Sequence, residues 1–305
     1  MGKLSFIEKK PNCRIISCGN FYFFKEVFRF MKTKTTKITA TMLTESAIMI
    51  ALSTVLSLIK LVDLPAGGSI TIASMFPVAV IAFRYGTPWG LFTALVYGIV
   101  QQLLGLNTLA YAVNWQAAVA IILLDYIVAF AVIGLAGIFR KKIARQSISM
   151  ILGCFLVCVL RYICHLISGA TVWAGLSIPS EAAILYSLGY NATYMIPETI
   201  IVLLVALYMC ENIDFTKKAL VRIKREHMAK GTAWLLPAAG LFALTALIYD
   251  VFAIFSKLQN DDGIFDFSGL ANVNWLIFAI INGIGAIVCT VLIILYKIKQ
   301  KKAME

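Results

Sequence analysis

Apolar residues run along this chain in blocks that are long and continuous. A hydrocarbon core needs about 20 apolar residues per helix. Eight blocks approach that length, at roughly 40–61, 69–84, 88–105, 115–138, 147–170, 191–210, 232–256 and 273–296, the second and third being short for a full crossing. The pattern predicts an all-α polytopic membrane protein. The last two blocks come after a basic linker and carry almost no mid-span charge, and no internal repeat relates them to the first six. They read as an appended helical hairpin. The resulting organisation is a basic N-terminal segment (1–38), a six-helix domain (39–212), a basic linker (213–231) and the hairpin with a basic tail (232–305).

Composition agrees. Hydrophobic residues make up 61% of the 305 positions and charged residues only 14%, against about 25% charged in a soluble domain. The mean hydropathy is +0.88. The net charge of +12 does not form a nucleic-acid face, because the basic residues gather in alternate short segments between apolar blocks. Those segments hold Arg84; Arg140, Lys141, Lys142 and Arg145; six basic residues over 217–230; and Lys297, Lys299, Lys301 and Lys302. The intervening loops carry Asp63, Glu181, Asp261, Asp262 and Asp266, with Lys60 and Lys257 as exceptions. By the positive-inside rule this predicts a multi-pass protein of the cell membrane with both termini cytoplasmic. The first 30 residues lack a cleavage site and do not read as a signal peptide. They read either as an amphipathic interfacial stretch or, the favoured reading, as residues ahead of a start at Met31. Seven cysteines show no metal-ligand spacing, and five of them lie in or at the end of apolar blocks. Neither a metal site nor a disulfide framework is expected.

Three formal charges lie deep inside the blocks: Asp125, Arg161 and Glu198. At 1.5 Å per residue, Asp125 sits about 15 Å from the outer end of its helix and Arg161 about 16 Å from the inner end of its own. An intramembrane ionisable residue costs roughly 2.5–3.5 kcal/mol on insertion scales. His165 lies one turn from Arg161 on the same face. Arg161 paired with Glu198 is as readily a structural tie as a ligand contact. That pair leaves Asp125 in excess, which points to a cationic ligand or a protonation step. Aromatic and amide groups crowd the same outer half: Trp115, Tyr126, Trp173, Tyr186, Tyr190 and Asn191. Half of them are accounted for by an interfacial belt. Their mixture with His165 and Asp125 suits a flat, positively charged ring compound held by stacking and cation–π attraction. No hydrolase, zinc-protease or P-loop motif is present. The chain is not expected to be an enzyme or to carry a cofactor, and any ATP would be used by another chain.

The segments "RYICHLISGATVWAG", "YSLGYNATYMIPE", "LLDYIVAFAVIGLAG" and "PAGGSITIASMFPVAVIAFRYG" resemble the thiamine-binding S component of energy-coupling factor transporters, the ThiT (YuaJ) family. The likeness covers about residues 40–212. It implies a six-helix S-component bundle, to which the last two helices are appended. Carried over position by position, it implies that Asp125, Tyr126, His165, Gly169, Trp173, Tyr186 and Asn191 contact thiamine. From depth and residue type alone, Arg161, Glu198, Trp115 and Tyr190 are expected to join the pocket or its polar network. Asp125 is one methylene shorter than the Glu of some members, and Ile127 stands where Pro is common. The resemblance further implies docking onto a membrane coupling subunit with two ATPase subunits, through small residues of the first helix, here Ala47 and Ala51. Three other readings remain open on the residues alone. One is an S component for another vitamin or precursor such as hydroxymethylpyrimidine. Another is a proton-coupled secondary transporter of an organic cation, using Asp125 or Glu198. The third is a membrane sensor or structural protein whose aromatics serve only as a belt.

Overall fold

The computed structural model describes residues 38–64, 68–174, 183–223, 232, 234–258 and 266–302. The chain divides into a unit of residues 1–40, nearly all of it outside the described residues, and a unit of 41–305 that holds the helical bundle. The expectations for residues 1–37, including a start at Met31, therefore lie outside the described residues.

Each of the eight apolar blocks contains a helix: α1 (Ala40–Leu58), α2 (Phe76–Tyr85), α3 (Thr87–Leu104), α4 (Trp115–Gly137), α5 (Gln146–Thr171), α6 (Ala183–Asn212), α7 (Leu235–Phe255) and α8 (Trp275–Lys302). Among the described residues, six of these are long and apolar enough to cross a membrane; α2 and α3 are not among them. The second block does not become one helix. Its first part forms β2 (Ser69–Thr71), which pairs antiparallel with β1 (Lys60–Asp63) in the register Lys60↔Thr71, Val62↔Ile70, Asp63↔Ser69. Only Phe76–Tyr85 is helical, about 15 Å long. Pro77 near the start of α2 suits the first turn, where its missing N–H goes unused. Non-helical backbone at membrane depth is tolerated where it is buried in protein or lines a cavity. Here Ile70, Thr71, Ser74 and every α2 residue from Phe76 to Phe83 are buried.

Helix α1 joins α3 through polar rungs spaced along one face. Trp89 Nε1 donates to Ser46 Oγ (2.9 Å), the Tyr97 hydroxyl to the Ser53 carbonyl (3.3 Å), and Gln101 Nε2 to Ser57 Oγ (2.9 Å). Small and polar residues are the usual glue between helices in lipid, where apolar contact alone gives little preference. The other side of α1, with Ala47, Ile48, Ala51, Leu52 and Val55, is exposed. Helix α5 buries Met150, Cys154, Val157, Cys158, Arg161 and Ser168, and exposes Leu152, Phe155, Val159, Ile163 and Ile167. That one-sided division orients the helix, with Arg161 turned inward.

At the end of the bundle opposite β1 and β2, a second knot ties the chain. Arg84 forms a two-pronged ion pair with Glu45 (2.9 and 3.0 Å), Tyr85 donates to the same carboxylate (2.7 Å), and Arg84 also donates to the carbonyls of Phe215, Lys217 and Lys218. Helix α7 packs on α6 and β1, and α8 packs on α7. Asn282 of α8 donates to Asp250 of α7 (2.7 Å), an intramembrane polar tie within the hairpin.

Candidate functional site

A cavity of about 670 Å³ opens beneath the β1–β2 hairpin, lined by residues from every helix of α1–α6 except α2. Its size lies within the range of small-molecule sites, roughly 300–1,000 Å³. One wall is the middle of α4, where Ile121–Val128 winds as a π-helix. Such wide turns inside α-helices often occur at functional sites. This one presents Asp125 and Tyr126 side by side into the cavity.

Asp125 accepts three side-chain hydrogen bonds. Its Oδ1 pairs with His165 Nδ1 (3.0 Å), while Oδ2 accepts from the Ser168 hydroxyl (2.7 Å) and from Trp173 Nε1 (3.2 Å). Arg161, His165 and Gly169 stand at four-residue intervals on α5, so all three reach the same wall. Trp173 lies just past the end of α5, and its ring is 5.5 Å from that of Tyr111. The Tyr126 hydroxyl is fixed by the Gly105 carbonyl (3.3 Å) and Thr108 Oγ1 (3.2 Å). A Cβ at position 105 would collide with that hydroxyl, so only glycine lets the tyrosine in.

Deeper in the cavity, Arg161 Nη1 stands 3.7 Å from Glu198 Oε2 and its guanidinium carbon 4.8 Å from the centre of the Phe130 ring. The pair is an ion pair rather than a close hydrogen bond. Arg161 is 7% exposed, and its Nε has no hydrogen-bond partner among the described residues. Glu198 accepts from Thr71 Oγ1 (3.0 Å), which shares a further bond with Ser74 (2.8 Å). The irregular segment that replaces the first part of a second transmembrane helix thus supplies the carboxylate's partner.

The α6 residues meet the cavity differently from expectation. Helix α6 begins at Ala183, not near 191, because the polar residues of "YSLGYNATY" face inward and find partners there. Asn191 Nδ2 donates to the Ser187 carbonyl (2.9 Å) and to that of His165 (3.3 Å), and its Oδ1 accepts from Tyr194 (2.6 Å). Asn191, Tyr190, Tyr194 and Glu198 all line the cavity. Two expected residues do not. Trp115 is 72% exposed and lies outside the cavity lining. Tyr186 packs against the small Ile121–Trp173 cluster. Tyr194 belongs to the aromatic layer read from the sequence, whereas Ser168, Thr71, Ser74 and Phe130 were missed by reading it. Ser168 alone had a signal, one turn from His165 on the same face.

Counted over the lining residues, three carboxylates (Asp63, Asp125, Glu198) face two fixed cations (Lys60, Arg161). Lys60 and Asp63 neutralise each other at the exposed rim (3.0 Å). Inside, Arg161 offsets Glu198. No lysine or arginine of the lining is left to offset Asp125, which stands among aromatic rings, an arrangement that suits a cationic ring compound.

The family model for thiamine transporter protein (Thia_YuaJ) matches residues 43–217, more than half of the chain. The chain belongs to this family. A relative, thiamine transporter ThiT of Bacillus subtilis (strain 168), is 38% identical over 170 residues, covering 52% of this chain and 84% of its own length. A solved structure of ThiT from Listeria monocytogenes is 27% identical, covering 56% of this chain and 93% of that one, with a TM-score of 0.46. This thiamine transporter family member is therefore a multi-pass membrane protein of a transport family, not an enzyme family. The matched region takes in nearly all of α1–α6, so every helix that lines the cavity falls within it; α7 and α8 lie beyond.

Proposed function

We propose that this protein is the thiamine-binding membrane subunit of an energy-coupling factor transporter, taking the vitamin from the outer side into the cavity beneath β1 and β2. Thiamine joins a permanently charged thiazolium to a flat aminopyrimidine. Asp125 balances the cation. His165, Ser168 and Trp173 hold the carboxylate in place before the ligand arrives, so little ordering is left for the binding step. Trp173, Tyr111 and Tyr190 offer ring faces for stacking. Tyr126 and the backbone around Gly169 close the wall beside Asp125. The observation that carries the reading is a single carboxylate, fixed by three donors and unmatched by a fixed cation, in an aromatic-walled cavity of a thiamine transporter family member.

Delivery inward would use a second protein. The exposed face of α1, with Ala47 and Ala51, is the surface we assign to docking on a membrane coupling subunit driven by two ATPase subunits. The chain itself then needs no cofactor. Both termini lie in the cytoplasm in this reading, which the distribution of basic residues supports.

Uptake of labelled thiamine tests this reading in cells that lack their own thiamine uptake. Uptake is expected only when the coupling subunit and ATPases are co-expressed, with little effect from an ionophore that collapses the proton gradient. Uptake by this chain alone, abolished by the ionophore, would instead establish a proton-coupled transporter.

A further inference from the structure

The C-terminal hairpin lies beyond the family region in sequence, yet it reaches the cavity's outer wall. Helix α7 packs against β1, the strand whose Lys60 and Asp63 form the cavity rim. Val251 and Leu258, near and just beyond its far end, are 5% and 2% exposed. A short 3₁₀ helix, Phe267–Asn272, leads from this end toward α8. Its start is anchored: the Asp266 N–H donates to the Leu258 carbonyl (2.7 Å) and Asp266 Oδ1 caps the Ser268 N–H (2.9 Å). Gly269 lies so close to the α7 end that a Cβ there would collide with the Lys257 carbonyl oxygen.

From that fixed position Phe267 sets its ring 5.0 Å from Tyr186, at an interplanar angle of 37°. Phe267 and Leu270 both pack on the main core, which includes Val62, Leu64, Tyr190 and Tyr194. Tyr186 in turn packs against the small cluster formed by Ile121 and Trp173, and Trp173 donates to Asp125. The hairpin is thus linked to the carboxylate that balances the ligand through Phe267, Tyr186, the Ile121–Trp173 cluster and Asp125.

We propose that the appended hairpin braces the outer wall of the cavity, with Phe267 as a positioning residue that holds Tyr186 against the Ile121–Trp173 cluster and slows escape of bound ligand. The proposal rests on thiamine occupying this cavity. Packing explains the direction of the effect. Phe267 is not part of the cavity lining, so its removal takes away no ligand contact. It lets Trp173 move away from Asp125, and departure becomes faster while capture changes less.

The test uses the full chain in detergent. Phe267→Ala is compared with wild type, with Phe267→Tyr, which keeps the ring, and with Ile287→Ala on α8, a residue 65% exposed and remote from this contact line. Dissociation of labelled thiamine is followed after a chase with excess unlabelled vitamin. Amide exchange over residues 183–190 is followed in ligand-free protein. Phe267→Ala is expected to speed dissociation roughly two- to tenfold, the scale of one lost aromatic pair, and to speed exchange. Phe267→Tyr and Ile287→Ala should match wild type. Should Phe267→Ala fail to fold, Phe267→Leu removes the ring while keeping bulk and gives the same readout. Unchanged dissociation overturns the proposal, even where exchange is faster. If wild-type protein binds no thiamine, the proposed ligand falls, and the exchange result alone decides the brace: faster exchange supports it and unchanged exchange refutes it.

Discussion

Replacing Asp125 with asparagine removes one charge and almost no volume. The hydrogen bonds show why the free protein should tolerate this change. Two donors, Ser168 and Trp173, converge on Oδ2, while His165 Nδ1 alone meets Oδ1. An asparagine that turns its oxygen toward Ser168 and Trp173 keeps both bonds. Its amide nitrogen then faces His165, whose ring can accept by changing tautomer. The geometry survives and only the charge is lost. Truncating one partner of a buried charge pair costs about 2–5 kcal/mol in binding. The Asp125 side chain is 15% exposed, so screening places the expected loss toward the lower end, roughly 30- to several-hundredfold in Kd. The assay is a tryptophan-fluorescence titration of the variant with thiamine and, in parallel, with neutral hydroxymethylpyrimidine. Thiamine affinity should fall by that factor, and any affinity for the neutral ring should change little. Wild-type thiamine affinity in Asp125→Asn would refute the assignment of the carboxylate to the cation. An equal loss for the neutral ring would assign it to shape or hydrogen bonding instead.

Other variants probe separate parts of the molecule. Ala47→Trp should leave thiamine binding intact and block uptake, since the side chain points out of the bundle; normal uptake would remove α1 from the docking surface. Gly105→Val should expel the Tyr126 hydroxyl from its place beside the Gly105 carbonyl and weaken binding about tenfold or more, on the scale of a lost hydrogen bond with overpacking. An unchanged Kd by the same titration would show that Tyr126 is not required where it stands. Arg84→Met breaks the ion pair with Glu45 and is expected to cost roughly 3 kcal/mol of stability, read as a lower melting temperature in detergent. Adding Glu45→Gln should recover part of that loss, and an unchanged melt in the single variant would mean that the knot contributes nothing.

Much of this arrangement was legible in the sequence because lipid makes polar residues conspicuous. Asp125, Arg161, His165 and Glu198 stood out against apolar neighbours, and helical spacing put Arg161 and His165 on one inward face. The Arg161–Glu198 pair, read from depth alone, is present at 3.7 Å. Other features left no such mark. "SITIASMFPVAV" is as apolar as a helix, yet Ser69–Thr71 pairs with β1 and the helix starts only at Phe76. The choice is made by burial against α6 and the cavity, a tertiary effect that hydropathy does not record. The same holds for the start of α6: Tyr186, Ser187 and Tyr190 precede the apolar block at 191–210, yet the helix already runs there, and Asn191 finds its partners on α5 and on its own preceding turn. The π-helix around Asp125 has no sequence signature at all. Trp115 and Tyr186 were drawn into the expected site by residue type and by resemblance. Neither lines the cavity of the free protein: one is exposed, and the other packs against the Ile121–Trp173 cluster.

At the centre stands the proposal that the cavity below β1 and β2 binds thiamine through the charge on Asp125. The most direct test is a fluorescence titration of the purified wild-type protein with thiamine, beside hydroxymethylpyrimidine and riboflavin. Trp173 lies at the cavity wall and bonds Asp125, so it should report a ring stacking nearby. Saturable quenching by thiamine at nanomolar concentration, with hydroxymethylpyrimidine far weaker and riboflavin silent, is the predicted result. No response to thiamine from folded protein, or equal binding of hydroxymethylpyrimidine, would contradict it.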